Sequence, residues 1–140
     1  MAGELLLDTG ALVSLLDRRQ IHHRRFTEFF SDWHGAVVST EAVLTEATHL
    51  LGRIPGGREL CLEFFLAGGA TLVPASLSTL RRCRVLIEKY ADLPMDYADA
   101  TLVMLAEELG TDLVFTTDRR DFEVYRFGKN RPFQILPLLA

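Results

Sequence analysis

The sequence predicts a three-layer α/β/α sandwich around a central, mostly parallel sheet of four or five strands. Three observations carry that expectation. Short apolar runs alternate with stretches of helical periodicity along the whole chain, the pattern of βαβ units. Pairs of helical stretches separate the first strand from the second and the second from the third, which implies right-handed crossovers and parallel pairing. The length of 140 residues, with 49% hydrophobic and 24% charged side chains, suits one compact domain over residues 1–140, since domains cluster near ~100–150 residues. A chain of that size buries roughly two-thirds of its unfolded surface, so neither disulfide nor metal is needed merely to fold.

The elements follow in order. Glu4–Leu7 is a brief apolar run that reads as a buried strand. From Ala11 the period changes: Leu12, Leu15 and Leu16 share one helix face, with Asp17-Arg18-Arg19 expected to face water. Phe26, Phe29, Phe30 and Trp33 repeat at i, i+3, i+4 and i+7, a second amphipathic helix whose rings are expected in the core rather than stacked on bases. Ala36–Ser39 is the next strand, and Thr40 is placed to cap a helix carrying Val43, Leu44, Ala47, Leu50 and Leu51. After Pro55-Gly56-Gly57 another helix runs to about Ala67, where Gly68-Gly69 stops it. Thr71–Val73 reads as a strand, and Ser76 can cap a helix through Tyr90. The pattern Ala98, Leu102, Leu105, Leu109 gives a helix closed by Gly110. Leu113–Thr116 is the fourth strand, and Phe133–Leu136 is a candidate fifth.

Composition excludes several function classes. A net charge of −4 argues against coating DNA or anionic membrane by bulk electrostatics. Cys61 and Cys83 have no C-x-x-C spacing, so no zinc ribbon or disulfide framework is indicated, and two free thiols fit a reducing cytoplasm. The first residues lack a basic segment and the apolar run breaks at Asp8, so no signal peptide is expected. No apolar stretch approaches the ~18–20 residues that span a bilayer.

The acids fall where a parallel sheet places its ligands, beyond the carboxyl ends of the strands. Asp8-Thr9 follows the first strand, Ser39-Thr40 the second and Thr116-Thr117-Asp118 the fourth. The helix after the second strand adds Glu46, and the helix before the fourth begins with Asp96 and Asp99. Asp8, Glu46, Asp99 and Asp118 are thereby expected to converge on one edge. Taken singly, each has a plainer role: Asp8 and Asp96 as helix caps, Asp99 beside a helix N-terminus, Asp118 in an Asx turn. Taken together they do not, because two carboxylates ~5 Å apart repel by about 3 kcal/mol at an effective dielectric of 20. Such a group protonates, splays or holds a cation. Oxygen ligands without Cys or His favour Mg²⁺ or Mn²⁺ over zinc, and phosphodiester hydrolysis is the natural chemistry.

Leu5-Leu6-Leu7-Asp8-Thr9-Gly10-Ala11-Leu12 resembles the opening of PIN domains, the metal-dependent ribonuclease fold used by VapC toxins. Val37-Val38-Ser39-Thr40 with Glu46 resembles the second motif of that family, Asp96-Tyr97-Ala98-Asp99-Ala100 with Gly110 the third, and Thr116-Thr117-Asp118 with Asp121-Phe122 the fourth. The likeness runs in order from Leu5 to Pro137. It implies Asp8, Glu46, Asp99 and Asp118 as catalytic acids holding one or two Mg²⁺ or Mn²⁺ ions against an RNA substrate. Thr116 and Thr9 would be accessory, with Asp96 as an extra acid. It further implies a homodimer and a small cognate antitoxin that covers the acidic pocket, as in type II toxin–antitoxin pairs.

An acidic cleft repels RNA, so cations must meet the backbone. Thirteen of the fifteen basic residues are Arg, whose fork suits phosphate. Arg119 and Arg120, next to Asp118, rank first; Arg18, Arg19, Arg24, Arg25, Arg81, Arg82 and Arg84 read better as solvated helix faces. Two other classes compete. Leu6–Ala11 looks like an aspartic-protease triplet, but that chemistry needs two such aspartates in an all-β fold. A non-catalytic module, receiver-like or PIN-like, is the alternative; receivers carry adjacent acids after the first strand and a Lys after the last, and this chain has neither.

Overall fold

Three consecutive leucines can all be buried only where both faces of a strand are covered. In the computed structural model, which describes residues 3–138, Leu5–Leu7 forms β1 and all three side chains are fully buried. Two helices follow, α1 (Thr9–Leu16) and α2 (His23–Asp32), then β2 (Val37–Thr40). The next crossover also holds two, α3 (Glu41–Leu51) and α4 (Gly57–Leu66), before β3 (Thr71–Val73). After α5 (Leu77–Lys89) and α6 (Tyr97–Leu109) comes β4 (Leu113–Phe115). The chain closes with α7 (Arg119–Phe122), β5 (Arg126–Phe127), β6 (Arg131–Pro132) and β7 (Gln134–Leu136).

Five strands pair in the order β3-β2-β1-β4-β7, every pair parallel. Leu6 is in register with Val38 on one side and Val114 on the other. Alternation along β1 divides the core into two layers. Leu6 joins Val38, Val114 and Ile135 against α5 and α6, while Leu5 and Leu7 join Phe115 against α1, α2 and the end of α3. The phenylalanine stripe of α2 closes on Phe115, with ring centroids at 5.0 Å for Phe26, 5.1 Å for Phe29 and 6.1 Å for Phe30. Phe26 is fully buried, while Phe29, Phe30 and Trp33 are partly buried against this layer.

The expected caps form. Thr40 accepts from the Val43 N–H, Ser76 and Thr79 make a reciprocal capping box, and Gly110 ends α6 at φ +67°, a left-handed conformation that glycine adopts without strain. Asp17 departs from expectation. It is buried as the C-cap of α1, and its carboxylate accepts from Arg19 and Gln20. The short helix α7 and the antiparallel β5–β6 hairpin are also absent from the sequence reading. Each is too short to leave a periodic signal. Among the described residues no helix is long and apolar enough to cross a membrane.

The strand order positions the site. The chain builds outward from β1 to β2 and β3, then returns to the other side of β1 to add β4. The crevice of a parallel sheet opens at such a reversal, beyond the carboxyl ends of the two strands that flank it. Here those ends carry Asp8 and Thr116-Thr117-Asp118.

Candidate active site

Asp8 stands at the N-cap position of α1, yet its side chain makes no capping bond. The carboxylate accepts instead from the Thr116 hydroxyl, and it is 5% exposed. The same Thr116 oxygen accepts from the Asp118 N–H at 2.9 Å. One buried hydroxyl therefore ties the end of β1 to the end of β4. The Thr117 side chain packs closely here: a Cβ at Gly10 would overlap its hydroxyl.

The N-terminus of α6 brings two more acids. Asp96 caps the helix by accepting from the Asp99 N–H at 2.8 Å, so one of its oxygens has the plain capping role. Asp99 is buried and accepts from the Tyr125 hydroxyl at 2.9 Å. Asp118 caps α7 by accepting from the Asp121 N–H at 3.1 Å. Asp99, Asp118 and Asp121 each offer an oxygen within 4.8 Å of the others.

Electrostatics bind the group together. Burial, then the charges of Asp118 and Asp96, push Asp8 up to about 6 despite the Thr116 bond. Burial, then the charges of Asp8 and Asp96, push Asp99 up to about 8, against the lowering effect of Tyr125. Asp118 is raised too, by burial and by Asp121. Tyr125 is raised in turn by burial and the Asp99 charge, so it stays a donor. Among the described residues, no ion pair involves any of these five aspartates.

That is a charge problem with an obvious solution. Across an octahedral Mg²⁺ at ~2.1 Å the opposite oxygens lie about 4.2 Å apart, so the 4.8 Å span of the triad needs only a small closure. The donors are all oxygen and unpaired with cations, and burial and neighbouring charge raise Asp99 and Asp118 above their ordinary pKa values. They fit a hard divalent ion.

Not every expected residue joins the triad: Asp8 stands beside it, held by Thr116 and coupled to Asp99 and Asp118 by charge. Glu46 is exposed on α3 and accepts from the Thr9 hydroxyl at 2.7 Å, which tethers it to the residue after Asp8 but leaves it outside the triad. Ser39 and Thr40 are not ligands. Ser39 donates to the Leu7 carbonyl, while Thr40 caps α3 and bonds Thr101. Arg120 is exposed; Arg119 is half-buried, with its Nη1 buried and without a partner. Arg24, Arg82 and Arg84 pair with Glu28, Glu107 and Glu88.

Two residues were not counted among the site residues from sequence, although Asp121 stands within the fourth motif. Asp121 stands three residues past Asp118, a spacing that shares a face once the segment is helical. Tyr125 left no signal, because its hydroxyl reaches Asp99 only once its ring has packed against Tyr90 and Phe122. The protease alternative fails on the fold, since Asp8 runs straight from a parallel strand into a helix.

The family profile of the PIN domain matches residues 5–128. The chain belongs to the PIN domain family. Over 135 residues this PIN domain is 29% identical to Ribonuclease VapC26 of Mycobacterium tuberculosis, a match covering 95% of this chain and 100% of that one. Among solved structures, it superposes with a TM-score of 0.81 on VapC20 of Mycobacterium tuberculosis, described as a toxin that cleaves the sarcin–ricin loop, at 17% identity over 91% of this chain and 99% of that one. The VapBC2 structure from Rickettsia felis, bound to a promoter DNA fragment, gives a TM-score of 0.65 at 14% identity over 96% and 99%. A toxin–antitoxin complex from Klebsiella pneumoniae gives 0.65 at 18% identity over 86% and 91%. At these identities the solved structures establish that the PIN domain has their fold.

Proposed function

We propose that this PIN domain is an endoribonuclease that hydrolyses RNA phosphodiester bonds with Mg²⁺ or Mn²⁺, as the toxin of a type II toxin–antitoxin pair. The observation that carries the reading is the set of unpaired aspartates at the reversal of the sheet, with Asp99, Asp118 and Asp121 sharing oxygens within 4.8 Å. The likeness to Ribonuclease VapC26 supports the substrate class. Two neighbours solved as toxin–antitoxin assemblies support an antitoxin partner. A homodimer acting in the cytoplasm is the assembly expected of such a toxin, and exposed Leu62, Leu66, Leu77 and Leu80 offer apolar surface for a protein contact.

Asp8, Asp99 and Asp118, joined by Asp121, would hold the ion, and Glu46 would complete the acidic rim through Thr9. A bound divalent ion supplies activated water and offsets charge developing on the phosphate. The protein's part is orientation. Thr116 fixes the carboxylate of Asp8, Tyr125 fixes that of Asp99, and Asp96 anchors the turn that presents Asp99. Arg119 and Arg120 follow Asp118 directly in the chain, and the exposed Arg120 is the cation free to meet the RNA backbone there.

The deciding experiment is 5′-end sequencing of total cellular RNA incubated with the purified protein and Mn²⁺, beside reactions with EDTA or with Asp99→Asn. Discrete new ends that vanish in both controls are expected. Ends that persist in EDTA would remove the metal, and ends that persist in Asp99→Asn would remove the site.

A further inference from the structure

A second feature adjoins the acids and plays no part in holding them. A cavity of about 440 Å³ opens between α3, the end of β3 and the first turns of α5 and α6. Its walls include Val73, Pro74 and the buried Met104, with the half-exposed ring of Tyr97 at its side. The threonines that line it bond within the protein: Thr40 with Thr101, Thr45 to the Glu41 carbonyl, and Thr79 with Ser76. The carboxylate of Glu41 also lines it and has no hydrogen-bond or ion-pair partner among the described residues.

The cavity borders the acidic site, although none of the five aspartates lines it. Tyr97 lies between Asp96 and Asp99 on a single helical turn, whose pitch is about 5.4 Å. Glu46 lines the cavity and also receives the Thr9 hydroxyl. An apolar slot with one aromatic ring and one free acceptor, a turn away from the acids, is what an unstacked base needs. We propose that this cavity seats one unpaired nucleobase of the RNA beside the scissile phosphate, with Tyr97 against its face and Glu41 reading its Watson–Crick edge. The identity of the ligand as RNA rests on the ribonuclease reading; the shape and chemistry of the cavity do not.

The acceptor predicts which base. A carboxylate only accepts hydrogen bonds when ionised. Guanine alone presents two adjacent donors, N1–H and N2–H, on that edge, and both can meet the two oxygens of Glu41. Uracil presents one N–H flanked by two carbonyls, which the carboxylate repels. Glu41 therefore selects guanine and rejects uracil.

The test reads binding separately from cleavage. The chain has three methionines, Met1, Met95 and Met104, so selective ¹³C-methyl labelling gives Met104 its own resonance inside the cavity. With Mg²⁺ present, GMP is expected to shift Met104 at concentrations at least ~10-fold below those UMP requires, and Glu41→Gln is expected to erase that difference. Tyr97→Ala should weaken GMP by a similar factor. Equal responses to GMP and UMP, or none to either, overturn the proposal. A Met104 resonance that moves on dilution of the protein alone, and ignores GMP, assigns the cavity to a second copy of the chain and overturns it as well. RNA cleavage without the Met104 response would leave the ribonuclease reading standing and remove the base pocket. The discriminating response without cleavage would do the reverse.

Discussion

The Thr116 hydroxyl donates to the carboxylate of Asp8 across 108 positions of sequence, and its oxygen accepts from the Asp118 N–H. This one buried group sets the distance between the two strand ends at which the acids gather. Without it, Asp8 loses its only side-chain donor among the described residues, and the Asp118 amide loses its acceptor.

Thr116→Val should therefore cost stability and activity together. Two buried groups left unsatisfied are worth roughly 1–3 kcal/mol each, so the urea midpoint should fall clearly. Thr116→Ser retains the hydroxyl and should stay near wild type in both assays. Equal behaviour of the Val and Ser variants would show that the clamp is dispensable.

The raised pKa values set a pH trend for the metal-free protein. Asp8 at about 6 and Asp99 at about 8 lie above their ordinary value of 3.8. Between the ordinary and raised values the native state holds more protons than the unfolded chain, so stability falls as pH rises through this window. Asp99→Asn removes the larger shift. In EDTA at pH 8 it should melt higher by roughly 5–10 °C, taking a few kcal/mol for the relieved charge, and the gain should disappear near pH 4. Differential scanning calorimetry at both pH values reads this directly; a variant no more stable than wild type at pH 8 would count against crowded carboxylates.

Asp118→Asn and Asp121→Asn should each lower kcat by ~10²-fold or more, the scale of losing one well-placed electrostatic group. Both should weaken Mn²⁺ in a calorimetric titration. Asp121 is the informative one, since no motif reading put it among the ligands. Unchanged Mn²⁺ affinity in Asp121→Asn would restrict its role to the turn of α7.

Tyr125→Phe removes the donor that favours the ionised form of Asp99. The carboxyl pKa then rises further, and protons compete with the metal to higher pH. The acidic limb of the cleavage–pH profile should move alkaline by roughly one unit, the equivalent of one hydrogen bond of ~1.4 kcal/mol. Activity lost at pH 7 should return near pH 9. A uniform loss at every pH would make Tyr125 merely structural.

Gly10→Ala should be poorly tolerated although glycine's backbone freedom is not the reason. The added methyl meets the Thr117 side chain, which must then shift at the edge of the acids. Thr117→Ala in the same chain removes that hydroxyl and should restore much of the Mn²⁺ affinity; no rescue would place the fault elsewhere.

Much of this molecule is legible in its residues. Leu5–Leu7 has no polar alternate, so both faces must be covered, and the paired helices between strands leave a parallel sheet as the way to cover them. Thr40, Ser76, Asp96 and Gly110 announce helix ends because capping is local chemistry, settled by neighbours three residues apart. The positions of Asp8, Asp99 and Asp118 at strand ends and a helix start likewise follow from order along the chain. What order could not supply is which oxygens meet. Only the return of the chain to the far side of β1 brings Thr116 to Asp8, and only packing against Tyr90 and Phe122 brings Tyr125 to Asp99. The same packing leaves Glu46 bonded to Thr9 outside the triad and admits Asp121 to it. Local patterns record what a residue does for its own helix or strand; distances between residues far apart in the chain exist only once the layers have packed.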